Sequence, residues 1–312
     1  MKIKKLFTAL FTLALLSGLL VAASGCTNNT TGANITVYTR DTTSGTRDGF
    51  FTKIGFSEAK EDNSYLVDGY VEVDGNGSMI AAIKNDEYGI GYISLSTLSS
   101  SGVKGLTYEG IEPTEANVLN GTYSLTRNFN YCVRKEFTDS QVEAIVEAFE
   151  AFLTTSDAKT TMIEKGGIVS VSSANPTWDS IKANYPICNE DNSSITIKFG
   201  GSTSVESMAK ALSAEFSAKC GNFVAEHNHK GSGDAYKSTQ GSEKDGANYL
   251  DIAFLSREFN ESETPAQGTY GKMCIDAIVV VVNNSNSLSA ITTEEIKSIY
   301  NGTITKWSEI SN

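Results

Sequence analysis

Polar and apolar positions alternate over residues 35–38, and the alternation predicts a strand. It passes into a polar stretch holding Arg40, Ser44, Gly45, Thr46 and Arg47, after which Phe50, Phe51 and Ile54 fall on one helical face. Residues 70–73 read as a second strand, 74–78 as a turn and cap, and 79–83 as the start of a short helix. Residues 88–95 read as a buried strand whose glycines allow close backbone packing, ended by the polar residues 96–101. Residues 123–134 form an extended segment longer than most strands, long enough to pass from one domain into another. Residues 141–153 carry Val142, Ile145, Val146, Phe149 and Phe152 at helical spacing, and 189–194 contain no apolar residue and read as a linker.

After the linker the pattern restarts. Residues 195–199 predict a strand, Gly200 to Ser204 a hydroxyl-rich turn, and Met208, Leu212 and Phe216 a helix. Gly231, Ser232 and Gly233 make a third loop of small donors, and residues 251–256 make a strand that ends on Ser256. A β-branched run over 273–283 is a second long strand, and Thr292 with Glu295 three residues on starts a short helix over 292–300.

Strand, donor loop and helix therefore recur in both halves. Peptide N–H groups at a helix start lack internal partners, the helix end carries partial positive charge, and serine and threonine add hydroxyl donors, so such loops suit anions. Arg40 adds a bidentate grip on a tetrahedral oxyanion. Each loop alone also fits ordinary turns and caps, because glycine and serine are the commonest turn residues. Their recurrence favours the anion reading, since in an open α/β sheet such loops gather at the C-terminal strand ends.

The chain has 312 residues, 40% hydrophobic and 20% charged, enough for two domains or one large one. With 37 acidic and 25 basic side chains the net charge is −12, which excludes a nucleic-acid partner that needs a basic face but not a small anion held by local donors. Lys2, Lys4 and Lys5 followed by an apolar run over 6–23 have the layout of a secretory signal, with a permanent membrane anchor as the alternative. Ala23, Ser24, Gly25 and Cys26 resemble the lipobox of bacterial lipoproteins, which implies a signal peptide over 1–25, lipid on Cys26, a polar tether over 26–33 and a place on the outer face of the cell membrane. Cys132, Cys188, Cys220 and Cys274 contain no C-x-x-C pair, which argues against zinc or thioredoxin chemistry and leaves both disulfides and free buried thiols open.

Enzymatic motifs are missing. There is no G-x-S-x-G elbow, Walker A loop or G-x-G-x-x-G fingerprint, and His227 and His229 read as solvated loop residues. The expectation is a binding protein without cofactor, metal or catalytic residues.

Gly201-Ser-Thr-Ser-Val205, Gly231-Ser-Gly233, Ser256-Arg257, the run from Asp276 to Asn283 and the segment from Ile299 to Trp307 resemble the first half of the phosphate-binding proteins of ABC phosphate importers. Arg40 with Ser44-Gly-Thr-Arg47, then Gly89-Ile-Gly-Tyr-Ile-Ser-Leu95, Glu112-Pro-Thr114 and the segment from Asn120 to Arg127, resemble the second half. The halves stand in reversed order, which implies a circular permutation joined at residues 189–194. The resemblance implies an α/β, two-lobed periplasmic-binding-protein fold with mixed sheets, two crossing strands and a ligand cleft between the lobes. One lobe is then 34–127 plus 283–312, the other 130–280, and the tail must dock beside residues 35–38.

The same resemblance implies a phosphate ligand held by Arg40, Ser44, Gly45 and Thr46 on one side and by Ser202, Thr203, Ser204, Ser232, Ser256 and Arg257 on the other. Arg257 stands where some relatives have a carboxylate that accepts a phosphate proton; it either joins the anion or turns away to pair with Glu258, leaving Asp41 and Asp276 as substitute acceptors. The implied partners are inorganic phosphate, the importer permease and the membrane, for a monomer that closes on its ligand. The alternatives are another tetrahedral oxyanion such as sulfate or molybdate, or a sensing lipoprotein that does not transport.

Overall fold

A computed structural model describes residues 32–310; the signal-peptide and Cys26 expectations, and the last two residues, lie outside the described residues. Eleven strands run in chain order: β1 (Thr36–Arg40), β2 (Val71–Val73), β3 (Gly89–Ser94), β4 (Lys104–Gly105), β5 (Thr107–Tyr108), β6 (Thr126–Val133), β7 (Thr196–Gly201), β8 (Val224–Asn228), β9 (Ile252–Leu255), β10 (Tyr270–Val282) and β11 (Ala290–Ile291). The helices are α1 (Gly45–Lys53), α2 (Asn76–Asn85), α3 (Leu95–Ser101), α4 (Glu115–Leu119), α5 (Ser140–Leu153), α6 (Ser156–Glu164), α7 (Trp178–Ile181), α8 (Glu206–Lys219), α9 (Gly233–Thr239) and α10 (Thr293–Tyr300), with short 3₁₀ turns between some of them.

Among the described residues, nine strands form one mixed sheet in the order β2-β1-β3-β10-β6-β9-β7-β8, with β4 added on β10. Parallel pairs lie at both ends, β1 with β2 and β3, and β7 with β8 and β9. The centre is antiparallel. There β10, 13 residues long, pairs with β3 through its C-terminal half and with β6 through its N-terminal half. The two extended segments expected to cross between halves thus lie side by side, as β6 and β10.

Two large apolar cores flank this crossing. One gathers Phe50, Phe51, Tyr92 and Tyr300 with Ala277, Ile278, Val280 and Val282 of β10. The other gathers Phe149, Phe152, Phe199, Phe216 and Trp178 with Met273 and Cys274 from the start of the same strand. Alternation sends successive β10 side chains to opposite sheet faces, so Val279 and Val281 join a third cluster with Met79 and Ile83 of α2. One strand thereby contributes to every major core.

The polar residues 96–101 follow the end of β3 and form the body of α3, whose polar face is exposed while Leu95 and Leu98 pack inward; Gly102, at φ 67°, provides the left-handed residue that ends it. The linker at 189–194 is tied down rather than free. Asn192 is fully buried and donates through Nδ2 to the carbonyls of Ile187 and Cys220, beside the Cys188–Cys220 disulfide. Among the described residues Cys132 and Cys274 are free and buried, and burial pushes the Cys132 thiol up to about 12.

The C-terminal segment returns to the beginning of the fold. Ile35 N–H donates to Thr305 O at 2.8 Å, Trp307 N–H to Ala33 O at 3.2 Å, and the Trp307 indole to Tyr88 O at 3.2 Å. Tyr300 Oη donates to Tyr38 O at 3.0 Å, so the tail supports the strand that leads into the Arg40 loop. Trp307→Ala should cost about 3–5 kcal/mol of unfolding free energy, measured in urea; a loss below about 1 kcal/mol would mean that the tail is not part of this core.

Candidate functional site

The crossing strands also place charge. Arg127 of β6 and Asp276 of β10 are cross-strand partners in register. Arg127 donates to Asp276 Oδ2 through Nε at 3.0 Å and Nη2 at 2.8 Å, and Ser94 Oγ donates to Asp276 Oδ1 at 2.7 Å. Burial pulls the Arg127 guanidinium below the usual arginine range, which Asp276 opposes; burial pushes the Asp276 carboxyl up, which Arg127 and Ser94 oppose.

Arg40 arrives from the neighbouring end of the sheet. Its side chain is fully buried, with Nε donating to Val73 O at 3.2 Å and Nη2 to Asp74 O at 2.8 Å and Thr203 Oγ1 at 3.3 Å. Burial lowers the Arg40 pKa, and Arg127 lowers it further by like-charge repulsion. Two cations therefore share one desolvated region. Arg40 Nη1 and Arg127 Nη1 are both buried and have no hydrogen-bond partner among the described residues, and unpaired buried donors of this kind are costly.

Hydroxyls from the other core surround them. Ser204 Oγ accepts from Arg127 Nη2 and Asn76 Nδ2, each at 3.1 Å, and lies 2.9 Å from Thr46 Oγ1. With both lone pairs taken, Ser204 donates to Thr46, which leaves the Thr46 proton free for an acceptor. Asn76 is oriented by its Oδ1, which accepts from Ser94 N–H at 3.3 Å. Ser202 Oγ donates to Ser256 Oγ at 2.9 Å and accepts from Ser204 N–H at 3.2 Å, while Ser232 Oγ accepts from Ser256 N–H at 2.9 Å.

Gly45 opens α1 against this network. A Cβ at Gly45 would lie 2.3 Å from Ser232 Oγ and 2.7 Å from Ser256 Oγ, so only glycine allows the helix start to come this close. Ser44 caps the helix, accepting from Arg47 N–H at 3.4 Å, and the N–H groups of Gly45 and Thr46 have no acceptor within the helix. Gly233 N–H donates to Thr43 O at 2.9 Å, a further contact across the seam.

The structure thus brings together Arg40, Ser44, Gly45, Thr46, Ser202, Thr203, Ser204, Ser232 and Ser256. Arg257 stands apart. It makes a bidentate ion pair with Glu263, at 2.6 and 2.9 Å, and lines a cavity of about 770 Å³ that Arg127 also lines; its partner is Glu263 rather than Glu258, whose carbonyl alone it reaches. Asp276 is likewise used up by Arg127 and Ser94. Asp41 accepts from Thr43 through Oδ1, and its Oδ2 lies 3.9 Å from Arg40 Nη2. Arg47, inside the same loop motif, is structural: its guanidinium donates to Ala59 O and Arg40 O.

Asn76, Ser94 and Arg127 were not among the expected site residues. The available clue to Arg127 is a charge at an inward position of an apolar strand, matched by Asp276 in the other long strand. His227 and His229 also differ from expectation. They are half-buried, stacked at 5.4 Å and bonded to each other at 3.1 Å, not solvated.

Removing half of the buried pair should be worse than removing all of it. Asp276→Asn should cost about 3–5 kcal/mol in urea unfolding by leaving Arg127 uncompensated, and Arg127→Met with Asp276→Leu should cost less. Equal stability of Asp276→Asn and wild type would show that the pair does not hold this charge.

A PBP superfamily domain matches residues 187–312. Two proteins named Phosphate-binding protein PstS 2 are similar over nearly the whole chain. That of Streptococcus agalactiae serotype V is 25% identical over 294 residues, 92% of each protein; that of Streptococcus pneumoniae serotype 4 is 27% identical over 320 residues, 99% of this chain and 100% of the relative. A crystal structure described as a phosphate ABC transporter, phosphate-binding protein from Streptococcus pneumoniae TIGR4 has the same fold, with a TM-score of 0.63 at 23% identity over 89% of this chain and 100% of that one. These alignments run the length of both proteins, so the relatives share this order of segments, and the expected circular permutation is not shown. The chain thus carries a PBP superfamily domain over residues 187–312 and is similar, over nearly its whole length, to proteins named as phosphate-binding proteins.

Proposed function

We propose that the protein binds inorganic phosphate between its two halves and delivers it to an ABC importer permease. The observation that carries this reading is the pair of buried guanidinium donors, Arg40 Nη1 and Arg127 Nη1, that no described residue satisfies. A tetrahedral oxyanion satisfies both, supplies the counter-charge that Asp276 leaves incomplete and accepts from the hydroxyl of Thr46 and the N–H groups at the start of α1. The names of the streptococcal relatives support phosphate as the anion and import as the purpose.

The proposed halves are residues 34–127 with 283–312, and residues 130–280. Arg40, Ser44, Gly45 and Thr46 belong to the first, and Ser202, Thr203, Ser204, Ser232 and Ser256 to the second; Arg127 lies at the crossing between them. Each half holds part of the donor set, so full coordination requires closure, and phosphate favours the closed form by its differential affinity. Asp41 is the proposed acceptor for the proton of hydrogen phosphate, a group that sulfate cannot match. No chemical turnover is proposed, since the donors stabilise an anion and present no activated nucleophile. Lipid on Cys26 and an extracytoplasmic location complete the reading.

Calorimetric titration tests it. Phosphate should bind the wild-type protein without turnover and sulfate more weakly, and Arg40→Met should lose about ten- to a hundredfold in affinity, the value of one charge-assisted hydrogen bond. Absence of phosphate binding would refute the reading, and a stronger response to molybdate or sulfate would reassign the anion.

A further inference from the structure

His227 is the next-to-last residue of β8, and His229 stands just past the strand end at Asn228, two positions on, so both project to one side of the strand line. Their rings continue an aromatic stack. Phe199 of β7 lies 5.2 Å from His227 with an interplanar angle of 17°, and Phe254 of β9 lies 6.3 Å from His229 with an angle of 14°. Packing therefore fixes both ring planes before hydrogen bonding is considered.

The ring nitrogens form a chain that ends at the anion loop. His229 Nδ1 is 3.1 Å from Ser202 O, His229 Nε2 is 3.1 Å from His227 Nδ1, and His227 Nε2 is 2.9 Å from Ser213 Oγ on α8. The proton positions follow from chemistry. A carbonyl only accepts, so His229 carries its proton on Nδ1 and leaves Nε2 bare. His227 then carries its proton on Nδ1 and leaves Nε2 to accept from the Ser213 hydroxyl at 2.9 Å, a shorter contact than that hydroxyl makes with the Lys210 carbonyl at 3.2 Å. Burial disfavours the charged form of both rings and holds His227 down to about 4, which keeps the chain neutral at ordinary pH.

We propose that His229, with its tautomer set by His227, is a positioning residue for anion binding that fixes the peptide plane between Ser202 and Thr203. This role rests on the phosphate reading above. Ser202 O also accepts from Val205 N–H at 3.3 Å, so both of its lone pairs are held. Because a trans peptide is planar, pinning that carbonyl sends the Thr203 N–H in the opposite sense, away from the histidines. The same turn carries Thr203 Oγ1, which accepts from Arg40, and Ser204 Oγ, which accepts from Arg127. A loop of small residues is thereby held at its carbonyl by one side chain and at its hydroxyls by the two arginines. Without the His229 donor, peptide rotation about residue 202 would disperse these donors. His227 acts through His229, since its Nδ1 proton keeps the proton off His229 Nε2.

The test combines a ligand-independent signature with binding. Nitrogen-15 spectra of the histidine rings in the anion-free protein should show neutral rings with Nδ1–H at both positions. His229→Phe, which retains a flat ring in the stack, should weaken phosphate affinity about tenfold, the worth of one hydrogen bond, and shift the amide resonances of Thr203 and Ser204. His229→Asn, whose amide can place an N–H near the position of Nδ1, should restore most of the affinity. A proton on His229 Nε2, or wild-type affinity in His229→Phe with unchanged thermal unfolding, would overturn the positioning role. Failure of the wild-type protein to bind phosphate, sulfate or molybdate would overturn the functional reading and this role with it, while the ring spectra would still decide the tautomer chain.

Discussion

A guanidinium taken out of water must be matched by acceptors or a counter-charge, and among the buried guanidiniums of the described residues two in one region, Arg40 and Arg127, each keep an unpartnered nitrogen. Asp276 compensates Arg127 and lies opposite it in the central antiparallel pair of strands. Arg40 has the edge of Asp41 at 3.9 Å, with a smaller contribution from the Asp74 charge, and its hydrogen bonds go to backbone carbonyls and Thr203. The desolvated positive charge is therefore only partly balanced by the protein, and each arginine keeps a donor without a protein partner. The proposed anion site rests on this imbalance, because a ligand that completes the pairing would be bound by groups that cannot find water instead.

The fold serves that arrangement. The long central strands β6 and β10 hold the charged pair, the parallel ends of the sheet deliver hydroxyl loops from both cores, and Gly45 lets a helix start approach Ser232 and Ser256. The C-terminal tail closes the first core beside residues 33–38 and steadies the strand that leads to Arg40. The end of the chain thus bears on a site that begins near its start.

Much of this was legible in the sequence because local patterns encode it. Strand, hydroxyl loop and helix start can be read from alternation, small donors and helical spacing, which located the loops; the family resemblance then assigned to a ligand the nine residues that the structure gathers. Arg127 and Asp276 were harder, since their pairing depends on the register of strands 149 positions apart. Arg257 was assigned by its place next to Ser256, but Glu263 six residues later captures it, a side-chain choice that spacing alone does not determine. Asn76 resembles any turn asparagine until α2 brings it to Ser204. The histidines were misread for a similar reason: their environment comes from Phe199 and Phe254, on two other strands.

The most direct measurement of the central claim is anomalous diffraction from crystals grown with arsenate, a tetrahedral stand-in for phosphate. The account predicts arsenic between the two halves, with one arsenate oxygen within about 3 Å of Arg40 Nη1 and another within about 3 Å of Arg127 Nη1. Arsenate bound instead at Arg257, or anywhere that leaves both of those nitrogens unpaired, would contradict it.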